Sequence, residues 1–164
     1  MLIAAVVIVA GTLLVQKFYP TTKPVVSAAQ MQENKHIALS LYAHAKQGIT
    51  LTESLISESK DQQLVSLAKT VKAELETQGS KLEIWFSDNN YVVGASWSIE
   101  KTLQIPHYEL QRATKSSTMA KSALKHFSVL TEKLNMKTFT QDTDLISVAN
   151  AYEALSAEIT AQLQ

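Results

Sequence analysis

Residues 37–55 read IALSLYAHAKQGITLTESL. Ile37, Leu41, His44, Gly48, Leu51 and Leu55 recur in this stretch at alternating spacings of four and three. An α-helix turns by about 100° per residue, so these six positions stack on one face. The stretch therefore predicts an amphipathic helix that turns this face, histidine included, toward a core.

Three similar patterns follow. The second opens at Ser59-Lys-Asp-Gln62, a capping-box signature in which the Ser hydroxyl and the Gln amide satisfy free backbone N–H groups. Its apolar face is Leu64, Leu67, Ala68, Val71, Leu75, Leu82 and Trp85. The third starts after Pro106, a residue suited to a first helical position. It runs through Leu110, Ala113, Met119, Ala120, Ala123, Leu124, Phe127, Leu130 and Leu134. The fourth opens around Asp142 to Asp144, whose acidic side chains suit a helix N-terminus, and carries Leu145, Val148, Ala149, Tyr152, Leu155, Ile159 and Leu163.

Few residues separate the first two patterns, and a short polar loop around Met136 to Gln141 separates the last two. Each pair predicts an antiparallel hairpin. Ser87 to Ile105 lies between the hairpins and is too long for a tight turn, although Ser98 to Gln104 is expected to add a short helix. Two hairpins joined by one long connection predict an all-α, ferritin-like four-helix bundle over residues 27–164. Leu64 to Leu82 also superposes without gaps on Leu145 to Leu163, matching Leu64 with Leu145, Ala68 with Ala149, Ala73 with Ala154 and Leu82 with Leu163.

Composition agrees with one helical domain. The chain has 164 residues, 46% of them apolar and 18% charged, which argues against general disorder. Four Gly and three Pro leave little turn chemistry for an all-β fold. Fifteen basic and fifteen acidic side chains give a formal net charge of zero, so nothing in the overall charge calls for nucleic acid. The absence of cysteine excludes disulfides and thiolate chemistry without fixing a compartment.

The N-terminus is different in character. Met1 to Val15 holds no charge and spans roughly 22 Å as a helix, short of a ~30 Å hydrocarbon core. Extension to Tyr19 brings it close to spanning, with Lys17 snorkelling and Phe18 and Tyr19 at the interface. Residues 1–19 are thus expected to be an uncleaved membrane anchor. The rival is a cleaved signal peptide, which lacks its basic leader here and has its best small-residue site only at Val26-Ser27-Ala28; a buried soluble helix is the third alternative. Residues 20–26, with Pro20 and Pro24, form a stiff linker.

The first hairpin resembles a family of small bacterial extracytoplasmic bundles labelled as a domain of unknown function. That family carries a His-His motif, and some of its members bind copper in the periplasm. Over residues 37–86, His44 falls on the first His of the motif, Ile49 on its Ile, Leu64, Leu67 and Ala68 on its Leu-x-x-Leu-Ala, and Trp85 on its closing Trp. Met119-Ala120 resembles the motif's Met-Ala pair in the second half. The second His is Ala45, the two Met positions are Leu51 and Leu82, and a usual Glu is Gln78; Arg112 and Ala113 replace the second half's His pair. The resemblance implies a ferritin-like fold outside the cytoplasm, with most ligand positions lost. A related family of ferritin-like envelope proteins without fixed metal ligands is similar to nearly the same degree.

Copper and zinc sites need several converging N, S or carboxylate ligands. The chain offers His36, His44, His107, His126, Met31, Met119 and Met136, but no Glu-x-x-His pair. His36 and His44 lie about 80° apart on the helix, too far round to share an ion. His44, on the apolar seam, is the one metal-ligand candidate, against its alternative role as a core histidine. No catalytic or cofactor motif appears: there is no Gly-x-Ser-x-Gly elbow and no Gly-rich phosphate loop. The six basic residues between Arg112 and Lys137 scatter around a helix rather than forming a stripe. Tyr91, Trp97 and Tyr108 are expected to plug one end of the bundle, with an aromatic recognition surface as the alternative.

The expectation is a non-enzymatic accessory or binding module, membrane-anchored through residues 1–19, with no cofactor beyond the metal question at His44 and an unidentified protein partner. The alternatives are a periplasmic copper-buffering protein that uses His44, and a helical sensor domain. Lys17 and Lys23 after the apolar segment favour a cytoplasmic domain by the positive-inside rule; the resemblance places it outside, which is the orientation expected here.

Overall fold

The computed structural model describes residues 26–94, 117–133 and 140–164, without the side chains of residues 117, 119 and 130–133. The anchor 1–19, nearly all of the linker 20–26, the predicted helix 98–104 and the start of the third pattern lie outside the described residues. Among those described, every regular element is helical: α1 Ala28–Glu58, α2 Gln62–Asp88, α3 Ser117–Lys133 and α4 Thr143–Gln162. None of these helices is long and apolar enough to cross a membrane. The chain divides into two units, Met1–Met31 and Gln32–Gln164. In the first, Ser27 precedes α1 and its hydroxyl accepts from Gln30 N at 3.2 Å, as an N-cap does.

In the second unit most of the predicted seam positions form the core; Ala123 and Leu163 are partly buried, and Leu134 and the Leu130 side chain lie outside the described residues. Ile37, Leu41, His44, Gly48, Leu51 and Leu55 are all buried, as is the whole apolar face expected of α2. In α3 and α4, Ala120, Leu124, Phe127, Leu145, Val148, Ala149, Tyr152, Leu155 and Ile159 are buried.

The start of α2 corrects the sequence expectation. Asp61, not Ser59, is the N-cap: its carboxylate accepts from Gln63 N and Leu64 N, while Ser59 Oγ accepts from Asp61 N. An acidic cap suits the positive end of the helix dipole, and its position starts the helix at Gln62. The other end of α2 is closed by Asn90 in the left-handed region (φ 51°). Asn90 N donates to Ser87 O and Tyr91 N to Phe86 O, and the rings of Phe86 and Tyr91 pack at 5.5 Å. This is a Schellman stop with its hydrophobic contact, and Asn tolerates the backbone it needs.

Side-chain contacts between helices give their directions. Lys72 meets Glu53 at 3.0 Å, and Lys46 and Tyr42 meet Glu83 at 3.3 and 2.7 Å, so α1 and α2 are antiparallel. Asn34 bonds Thr140 and Leu41 bonds Tyr152, so α4 runs parallel to α1. The Trp85–Asp142 bond near one end, and a groove lined by Thr70 to Thr77 of α2 and Ala151 to Glu158 of α4 farther along, set α4 antiparallel to α2. Ser156 Oγ donates to Ser128 O at 2.9 Å, which places Ser128 roughly 20 Å along α4 from its start. Were α3 parallel to α4, Lys133 would lie a further ~7 Å away from Thr140, and seven residue steps reach at most ~25 Å. α3 therefore runs antiparallel to α4. The surface ion pairs align the hairpin but contribute at most about 1 kcal/mol each; burial of the apolar seams supplies the stability.

Candidate functional site

His44 lies at the centre of the bundle, 1% exposed. One turn on, Gly48 has no side chain, and a Cβ there would run into Leu75 Cδ1 and lie 2.5 Å from Phe127 Cζ. That missing Cβ makes room for the Phe127 ring, which stacks on the His44 imidazole with centroids 4.2 Å apart and an interplanar angle of 3°. Tyr152 of α4 closes another side, its ring 5.5 Å from His44 and tilted by 59°. The Tyr152 hydroxyl donates to Leu41 O at 3.1 Å, one turn before His44. Three helices thus meet at one imidazole.

Desolvation decides the protonation state. Burial pushes His44 down to about 3, so at neutral pH the ring is uncharged and packs as an aromatic. Burial and then the negative charge of Glu74 push the Tyr152 phenol above its ordinary range, and it stays protonated. A neutral imidazole is the form that ligates metal, but among the described residues no group of three or more His, Cys, Asp or Glu is placed to hold an ion. His36 and His126 are exposed. His107, Met136 and the Met119 side chain lie outside the described residues.

Two polar features were not legible in the sequence. The first is a relay at the end of the bundle where Asn34 lies. The Thr140 hydroxyl donates to Asn34 Oδ1 at 2.7 Å and accepts from Asp142 N; Asp142 Oδ1 caps α4, and its Oδ2 accepts from Trp85 Nε1 at 2.9 Å. Trp85, the closing Trp of the resemblance, is therefore tied to the start of α4. The second is Gln78, where the resemblance has a Glu. It is buried and donates to Glu74 Oε1 at 2.6 Å, and its Oε1, like that of buried Gln47, has no hydrogen-bond partner among the described residues. Polar residues on otherwise apolar seams were the available signal.

Tyr91 packs partly buried against Phe86, with the Lys35 ammonium 5.2 Å from its ring centre, while Trp97 and Tyr108 lie outside the described residues. Of the basic stretch, Lys121 and Lys125 are exposed on α3. Two surface grooves run between α2 and α4: one of about 600 Å³ with Glu74 and Glu158 on opposite walls, and one of about 260 Å³ floored by Leu82, Trp85, Leu145 and Val148. Comparison with protein-family models, curated proteins and solved structures gave no match.

Proposed function

We propose that the chain is a non-catalytic ferritin-like bundle, held at a membrane by residues 1–19 with residues 27–164 outside the cytoplasm, that serves as an accessory or binding module through its surface. The helix directions support the ferritin-like part. α1 and α4 run one way and α2 and α3 the other, the order that two hairpins and a single long crossover produce. The observation that carries the functional reading is the filled centre. Bundle proteins build metal and cofactor sites from side chains that project inward from facing helices; here His44, Phe127 and Tyr152 occupy that space ring against ring.

Titration of the full-length chain with copper and zinc tests the reading. Binding no tighter than micromolar is expected, or about 8 kcal/mol of binding free energy, because one imidazole cannot fill a coordination sphere. His44→Ala should alter stability without altering metal uptake. Stoichiometric nanomolar copper binding that disappears in His44→Ala would replace this reading with metal buffering. Fractionation of the full-length chain tests the tether separately, with recovery in the membrane pellet expected.

A further inference from the structure

The face that α2 and α4 share carries an unusual exposure. Ile84 is 62% exposed and borders the 260 Å³ groove whose floor is Leu82, Trp85, Leu145 and Val148. A protruding apolar side chain beside an apolar hollow is a self-complementary patch, the kind that a two-fold interface requires. The groove also carries one charge on each wall, Lys81 from α2 and Asp144 from α4. Neither takes part in an ion pair among the described residues.

The bond between Trp85 and Asp142 fixes the heights of those charges. The helices are antiparallel, so Lys81 lies about 6 Å along the bundle from Trp85, and Asp144 lies about 3 Å along in the same direction from Asp142. The two charges are therefore within about 3 Å of one level, on opposite walls. We propose that this face is a homodimer interface in which a second copy of the chain packs side by side and parallel, Ile84 entering the other copy's groove and Lys81 meeting the other copy's Asp144.

Charge selects both the occupant and its orientation. A two-fold axis along the bundle sets α2 of one copy against α4 of the other and creates the Lys81–Asp144 pair twice. An axis across the bundle sets α2 against α2, bringing Lys81 to Lys81 and Asp144 to Asp144, which like-charge repulsion opposes. A chain with no net charge also has no long-range repulsion between copies to overcome.

The chain has no cysteine, so introduced thiols report without background. Full-length Lys81→Cys and Asp144→Cys, carrying different tags, are mixed and oxidised. The expected product is a disulfide between the two variants, formed in preference to either variant with itself. In sedimentation of the full-length chain, Ile84→Asp should abolish the dimer and Lys81→Glu should weaken it about tenfold or more. The double variant Lys81→Glu/Asp144→Lys should restore it, with circular dichroism showing each variant folded. A chain that stays monomeric up to about 0.1 mM overturns the proposal. So does preferential Lys81→Cys self-linkage, or a dimer indifferent to Ile84→Asp and Lys81→Glu.

Discussion

The two hairpins match in part, under two different shifts, and differ where the chemistry of the bundle would be expected. A shift of 81 positions carries the cap Asp61 onto the cap Asp142, and the buried Leu64 and Ala68 onto the buried Leu145 and Ala149. A shift of 83 carries buried Ile37, Leu41 and His44 of α1 onto buried Ala120, Leu124 and Phe127 of α3. Under this shift His44 falls on Phe127, where the motif alignment sets Arg112 against it, and the two rings stack face to face at the meeting of the two hairpins. One half presents an imidazole, the other a phenyl, and both are held as flat, uncharged rings. The difference teaches that this histidine is kept for its shape at neutral pH, and that its polarity matters only when it must take a proton.

The largest effect should come from disturbing how the rings seat. Gly48→Ala places a methyl group against Leu75 and Phe127 and should cost about 1–3 kcal/mol in chemical denaturation, despite the better helix propensity of Ala. Gly79→Ala is the control: among the described residues its Cβ would meet only Ala45 Cβ, at 3.9 Å, so it should be neutral or stabilise by up to about 1 kcal/mol. Equal costs at the two glycines would mean that Phe127 does not seat as described.

Acid should separate the imidazole from the phenyl. The unfolded chain protonates His44 below about 6.5, while the folded chain resists until about 3. The stability His44 contributes is therefore complete above about 6.5 and is lost as pH falls toward 3, by roughly 1.4 kcal/mol per pH unit. His44→Phe makes the two halves alike, and its stability curve should be flatter by that slope between pH 6 and 5. Parallel curves for the two proteins would show that His44 is solvated.

The smallest contrast lies between the two caps. Asp61→Ala should cost about 1 kcal/mol, as N-cap removal does. Asp142→Ala should cost about 1 kcal/mol more, because it also leaves the Trp85 indole N–H without its acceptor at the end of the bundle. Urea unfolding of both variants measures the gap, and equal losses would remove the indole bond from the fold's support.

The four helices among the described residues, and the core positions of the first two, were legible because the helical period is a local property: every position assigned to the seams of α1 and α2 is buried. The caps were half legible. Asp142 stood in the predicted acidic opening of α4, whereas the capping box read at Ser59 to Gln62 put the cap of α2 two residues early, because only backbone geometry shows that Asp61 is the residue that caps it. Gly48 was placed on the seam, yet its role was hidden, since the atoms its absent side chain would strike come from α2 and from α3.

His44 marks the boundary between what each level decides. The sequence by itself determined that four amphipathic stretches bury one stripe each, and that a histidine lies on the first stripe. Only the tertiary structure decided that this histidine faces Phe127 and Tyr152 rather than carboxylates or other imidazoles, and that Trp85 reaches Asp142 across 57 residues. Periodicity follows from the backbone of one helix, whereas the neighbours of a buried ring depend on how separate helices pack together.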